Sequence, residues 1–315
     1  MKRFLPLLWL VLAALAVFIL VAGKTPFRIS GLFLVSGLAV GALYSLGGIG
    51  LVVLYRATGV LNLANGAIGA LGVMVAWQLG HWGVAPSLTW LAALVLATMV
   101  SLIFGRLIAP GLAHRDPVVK TVATLGYALV VLGITAFIWE DDVRKFSLPT
   151  DQMAAIILDL RFTVTRMIVI GTAIFIVIVI WLYLDRTRVG LQMRSLANDR
   201  QLAALIGIRI VRVETIAWGI SGVIAGFTGL MFGDLVRLEP FVITFMVIPS
   251  IAAAICGKLE SLVGVLVGGF TMGIIESLLT LSPTLKSIRP VAPFVIAAIA
   301  LFLMQGGRPL VFARD

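Results

Sequence analysis

What most constrains this chain is a succession of apolar runs, each about 20 residues long and nearly free of charge. They read as Phe4–Ala22, Ile29–Tyr55, Leu61–Leu79, Ser87–Ala109, Val118–Trp139, Met167–Leu184, Thr215–Gly233, Phe241–Gly257, Leu262–Leu281 and Pro290–Met304. A run of that length spans the hydrocarbon of a bilayer as an α-helix. The expected fold is therefore an all-α, polytopic membrane bundle of about 8–10 transmembrane helices, some of them broken. The period-2 alternation of a membrane β-barrel is absent. The first run follows Lys2 and Arg3 and reads as a retained span, with a cleaved signal peptide over residues 1–23 as the alternative.

Composition supports this class. The hydrophobic fraction is 61% and the charged fraction 12%, against about half and a quarter in soluble domains. The net charge of +10 comes from basic residues scattered singly between apolar runs. That pattern orients loops across a membrane rather than binding nucleic acid. One cysteine, Cys256, excludes an internal disulfide. With only His81 and His114 besides, no metal or cofactor site is expected.

Polar sequence is concentrated in two places. Asp185 to Glu214 carries Arg186, Arg188, Arg194, Arg200, Arg209 and Arg212. With the N-terminus inside and every run crossing, fifteen basic residues fall inside and nine outside. The excess follows the positive-inside rule, so both termini and the arginine-rich segment are expected on the cytoplasmic side. The second polar stretch, Glu140–Arg166, includes Met153–Leu160, which is too short to span and reads as a surface helix.

Within the arginine-rich segment, Gly190 to Gly207 reads as one helix. At 100° per residue, Met193, Leu196, Ala197, Ala203, Ala204 and Gly207 share a broad face. Small side chains suit close docking; a lipid-anchoring helix usually carries bulkier ones. Glycines crowd the second and third runs, either for close helix packing or for a broken helix lining a cavity. Asn62 and Asn65 join those runs and need partners or water. Glu276 is an acidic residue well inside a predicted span, where a carboxylate either serves function or packs two helices through hydrogen bonds.

Catalytic signatures are missing. There is no G-x-S-x-G elbow and no H-E-x-x-H. Gly23-Lys24-Thr25 lacks the upstream glycine of a P-loop, since Phe18 stands there, and Gly257-Lys258 fails likewise at Ala252. The chain is not expected to be an enzyme or to hydrolyse ATP by itself.

Two stretches carry a family resemblance. Arg56-Ala-Thr-Gly-Val-Leu-Asn62-Leu-Ala-Asn65-Gly66, after Gly41-Ala-Leu-Tyr44-Ser-Leu-Gly47, resembles the N-terminal signature of branched-chain amino acid ABC transporter permeases of the smaller, H-type subunit. Gly190-Leu-Gln-Met-Arg194-Ser-Leu-Ala-Asn198-Asp199, continuing through Ala203, Ala204 and Gly207, resembles that family's cytoplasmic loop. Asn65 stands where the family usually has His, and Ser195 where it usually has Ala.

The resemblance implies a single permease domain over residues 1–315, with 185–214 as the coupling loop. It implies a plasma (inner) membrane location, two cytoplasmic ATP-binding subunits, a second permease subunit or second copy, and an external solute-binding protein. Branched-chain or similar small amino acids are the implied substrates, with urea, short amides or another small polar solute as the alternative. An ion-coupled secondary transporter is the rival of another class. The coupling candidates are Gly190, Arg194, Asn198, Asp199, Ala203 and Gly207; the pathway candidates are Asn62, Asn65 and Glu276.

Overall fold

The computed structural model describes residues 27–305, apart from 114, 141–143, 145, 147–149, 151–152, 158–159, 237 and 282–285. The first apolar run and the C-terminal tail lie outside the described residues. Among the described residues, six helices are long and apolar enough to cross a membrane, fewer than the ten apolar runs.

Helix α1 (Phe27–Thr58) is the axis. Of its most apolar window, 89% is buried, against 22% for α4. After it come α2 (Asn65–His81), α3 (Pro86–Ile103), α4 (Pro117–Trp139) and α5 (Val164–Arg186). A π-helical turn (Phe104–Ile108) and a 3-10 turn (Ala109–Leu112) continue α3. Then come two short helices, α6 (Arg188–Asn198) and α7 (Arg200–Leu205), and the long α8 (Ile210–Leu235). Next are α9 (Pro240–Phe245), α10 (Val247–Cys256), α11 (Leu262–Leu279), a 3-10 segment (Lys286–Val291) and α12 (Ala292–Gln305).

Close helix approach holds the centre together. α1 and α11 run antiparallel with glycine against glycine. A Cβ on Gly41 would sit 2.6 Å from the Gly269 carbonyl, and one on Gly37 2.7 Å from that of Gly273. Such backbone contact replaces the hydrophobic drive that lipid cannot supply. Hydroxyls reinforce the seam: Ser277 donates to the Phe33 carbonyl at 2.6 Å and Ser45 to that of Leu266 at 3.1 Å. α8 uses the same device, with Gly229 seated on the backbone of Gly69 in α2 and Gly222 on α3. Of the two readings of the glycines, close packing describes these positions.

Broken helices also occur. The predicted span Phe241–Gly257 is interrupted at Met246, where α9 ends and α10 begins. The predicted span Leu61–Leu79 becomes helical only at Asn65. Residues 59–64 are irregular, and Thr124 of α4 satisfies part of their backbone, accepting from the Leu63 amide and donating to the Leu61 carbonyl, both at 3.0 Å. Irregular backbone is tolerated at membrane depth only where protein covers it in this way.

Two expectations are corrected. Met153–Leu160 is not a surface helix. Its residues enter an antiparallel hairpin, Ala154–Ile157 with Leu160–Thr163, in the register Ala154↔Thr163 and Ile157↔Leu160. Isoleucines and threonines favour strand over helix in so short a stretch. The hairpin is a small addition to an otherwise helical bundle. Gly190–Gly207 is not one helix but two, divided at Asp199, whose backbone is extended (φ −153°, ψ 110°).

Candidate functional site: the α6–α7 segment and the closed seam beneath it

The helix ends sort into two faces. The starts of α2, α4, α8 and α11 and the ends of α1, α3, α5 and α10 lie on the side of α6 and α7, here the loop face. Contacts across it fix this grouping: Arg56 donates to the Glu260 carbonyl at 3.4 Å, and Gly105 packs on Trp218. The hairpin, the Glu276 cluster and the contact of Trp139 with Gln78 mark the opposite face.

The α6–α7 segment is two-sided. Thr187 caps α6 by accepting from the Gly190 amide at 3.0 Å. Gly190 itself lies against the backbone of Tyr183 and Leu184, so a side chain there would lift α6 off the end of α5. Asp199 caps α7, accepting from the amides of Gln201 and Leu202 at 2.9 Å each. α7 ends in a Schellman motif: the Gly207 amide donates to Ala204 and the Ile208 amide to Ala203, with Gly207 at φ +85°.

The inner side of the segment is Gly190, Met193, Leu196 and Ala203, all buried. Ala197, Ala204 and Gly207, predicted on that same face, are exposed. The break at Asp199 resets the helical phase, so a single projection cannot describe both halves. The outer side carries exposed Leu191, Leu202, Leu205 and Ile206, and Leu205 is 83% exposed. Asn198 is exposed at the end of α6. Arg194 pairs with Asp185 at 3.1 Å, and both remain partly exposed.

One strong contact on this face lies outside the predicted set. Arg200 pairs with Glu214 at 2.5 Å, and Glu214 is 9% exposed at the start of α8. The sequence signal was the isolated acid beside an arginine-rich stretch. The apolar-run boundary, however, placed Glu214 in the polar loop rather than inside the helix.

The three pathway candidates do not form one site. Asn65 lines a seam with Gly47, Gly66, Gly69, Thr228, Gly229, Phe232, Met246 and Ser250, where α1, α2 and α8 meet the α9–α10 break. Only about 10 Å³ there is open to the centre of a water molecule, so this conformation is closed. Ser221 donates to Asn65 Oδ1 at 3.4 Å. Asn62 is buried just before α2, where its Oδ1 accepts from the Ala64 amide at 3.1 Å. Its Nδ2 is buried without a hydrogen-bond partner.

Glu276 lies elsewhere, near the far end of α11. It accepts from Tyr44 at 2.6 Å and from Arg289 at 2.9 Å. The pair borders a cavity of about 230 Å³ lined also by Ser36, Ser277 and Thr280. No cluster of three or more metal-ligating side chains occurs among the described residues.

A bundle of apolar helices with a closed centre, broken helices beside it and a two-sided segment on one face has the form of an integral membrane permease. Comparison with known proteins gives the family. Residues 33–305 match the family described as "Branched-chain amino acid transport system / permease component", and the chain belongs to it. It is 28% identical over 239 residues to the "Probable branched-chain amino acid transport permease protein LivH" of Methanocaldococcus jannaschii, covering 74% of this chain and 75% of that one. It is 24% identical to the "High-affinity branched-chain amino acid transport system permease protein BraD" of Pseudomonas aeruginosa, over 78% and 84% of the two chains. A more partial likeness, 27% over 42% of this chain and 45% of the other, is to the "Nucleoside ABC transporter permease protein NupC" of Lactococcus lactis subsp. cremoris.

Proposed function

We propose that the chain is the translocation subunit of an ATP-driven importer of branched-chain or similar small amino acids. An external solute-binding protein delivers the substrate, and two cytoplasmic ATP-binding subunits supply the energy. A second permease subunit, or a second copy of this chain, completes the pathway. Family membership over residues 33–305 carries this reading. The loop face is cytoplasmic, both termini lie on that side, and the membrane is the plasma (inner) membrane. The support is charge: Arg56, Arg106, Arg115, Lys120, Lys258 and the six loop arginines belong to one face.

The α6–α7 segment is the docking site for the ATP-binding subunits. Its inner side is held by Gly190 and Ala203, while Arg194, Asn198 and Asp199 with the exposed leucines face outward. Closure of the ATPases pushes on the segment, and the closed seam at Asn65 opens to alternate sides. Asn62, Asn65 and Glu276 are the polar groups proposed to meet solute along the way. No ATP chemistry is assigned to this chain.

The test is reconstitution in liposomes with the ATP-binding and solute-binding partners. Leucine uptake should depend on ATP and survive collapse of the membrane potential; uptake that follows the potential instead would favour an ion-coupled carrier. Leu205→Asp and Arg194→Glu should insert normally yet abolish ATP-dependent uptake. Parental uptake in both variants would remove the docking assignment.

A further inference from the structure

The α6–α7 segment must be joined stiffly to something that reaches the seam, or a push on it is lost. α5 packs on α1, α11 and α8, but none of its residues lines the seam. α8 reaches it. It begins three residues after Gly207 and carries Ser221 to Asn65 and Gly229 onto Gly69. Thr228, Gly229 and Phe232 then form one wall of the seam. From Glu214 to Gly229 is about 22 Å of uninterrupted helix.

The link between α7 and α8 is short. Gly207 in the Schellman turn is exposed, and a Cβ there would meet nothing within 4 Å. Of the six residues of α7, only Ala203 is buried. The ion pair that ties α7 to α8 is Arg200–Glu214. Its acid is nearly buried and sits in the second turn of α8. A partly buried ion pair resists separation, because breaking it strands a charge.

The surroundings of Glu214 provide for a change of partner. Glu214 and Arg200 border a small cavity that Lys120 and Trp218 also line. Lys120 is held by the Ala113 carbonyl at 2.9 Å. Trp218, one helical turn beyond Glu214, is 1% exposed and its Nε1 has no hydrogen-bond partner. A carboxylate released by Arg200 therefore has an ammonium and a free indole N–H beside it. These groups offer the carboxylate a second set of partners, of the kind that transmission of a discrete motion requires.

We infer that the Arg200–Glu214 pair is the strut through which displacement of α7 drives α8, making both positioning residues for coupling. The inference rests on the proposed function above. It assigns neither residue to the ATPase surface or to solute.

The experiment uses the full importer in proteoliposomes, measuring leucine uptake and ATP hydrolysis together. In Arg200→Gln and in Glu214→Gln, uptake per ATP hydrolysed should fall about tenfold while hydrolysis continues. Arg200→Lys, which keeps the charge, should stay within about twofold of the parent. Three results would overturn the strut: parental uptake per ATP in both Gln variants, parallel loss of hydrolysis and uptake through failed assembly, or failure of Arg200→Lys equal to that of Arg200→Gln. If the parental chain itself shows no ATP-linked uptake, the importer reading falls first, which separates the two outcomes.

Discussion

Gly41 and Gly273 show how little space single positions leave. Each lies where a Cβ would enter the backbone of the facing helix. Gly41→Leu is expected to cost about 3 kcal/mol or more, because neither helix can yield without moving the whole α1–α11 seam. Gly126, on the outer side of α4 with nothing within 4 Å, is the control: Gly126→Leu should change stability by less than about 1 kcal/mol. The midpoint of heat-induced aggregation of the detergent-solubilised chain reads both. Backbone conformation makes a second pair of residue-scale statements. Lys258 at φ 58° occupies a left-handed conformation with a side chain present. Lys258→Gly should therefore stabilise the chain by about 1 kcal/mol, and Gly207→Ala, at φ +85° in open space, should destabilise it by a similar amount. The same aggregation midpoint should move up for the first and down for the second.

Among the elements, the split at Asp199 decides what the arginine-rich segment can present. The Asp199 side chain occupies two amides of the first turn of α7. Asp199→Ala should cost that helix about 1 kcal/mol, seen as faster hydrogen exchange at Gln201 and Leu202 with the transmembrane helices unchanged; unchanged exchange at both amides would show the cap to be dispensable. The sequence disclosed the segment, its polarity and, among the small residues placed on one face, the buried Ala203, whereas Ala197, Ala204 and Gly207 of that face are exposed. It did not disclose the phase break, because an aspartate in mid-segment is compatible with an exposed helical position as well as with a cap. The spans were legible for the reason that makes bilayers restrictive: about 20 apolar residues must close their own hydrogen bonds. Predicted Met167–Leu184 and observed Val164–Arg186 differ only at the ends. The hairpin was missed because it falls between the apolar runs, where that restriction lapses. Glu276 was visible as a carboxylate in a span, but its partners Tyr44 and Arg289 are 232 and 13 residues away in sequence, and no periodicity links them.

At the scale of the molecule, the alternation of helix direction and the distribution of charge are independent observations that agree. Direction follows from which helix ends meet; charge follows from the sequence alone. α6 and α7 sit between α5 and α8 on one face, and the hairpin sits between α4 and α5 on the other. If the loop face is cytoplasmic, Leu205, 83% exposed, and Met153, 64% exposed, lie on opposite sides of the membrane. After Cys256→Ala removes the one native thiol, Leu205→Cys should react with an impermeant maleimide only in inside-out vesicles, and Met153→Cys only in intact cells. Reversal of both would turn the molecule over and place the α6–α7 segment out of reach of any cytoplasmic ATPase. Labelling of both from one side would mean that the chain between them crosses an even number of times, which the single long helix α5 does not allow.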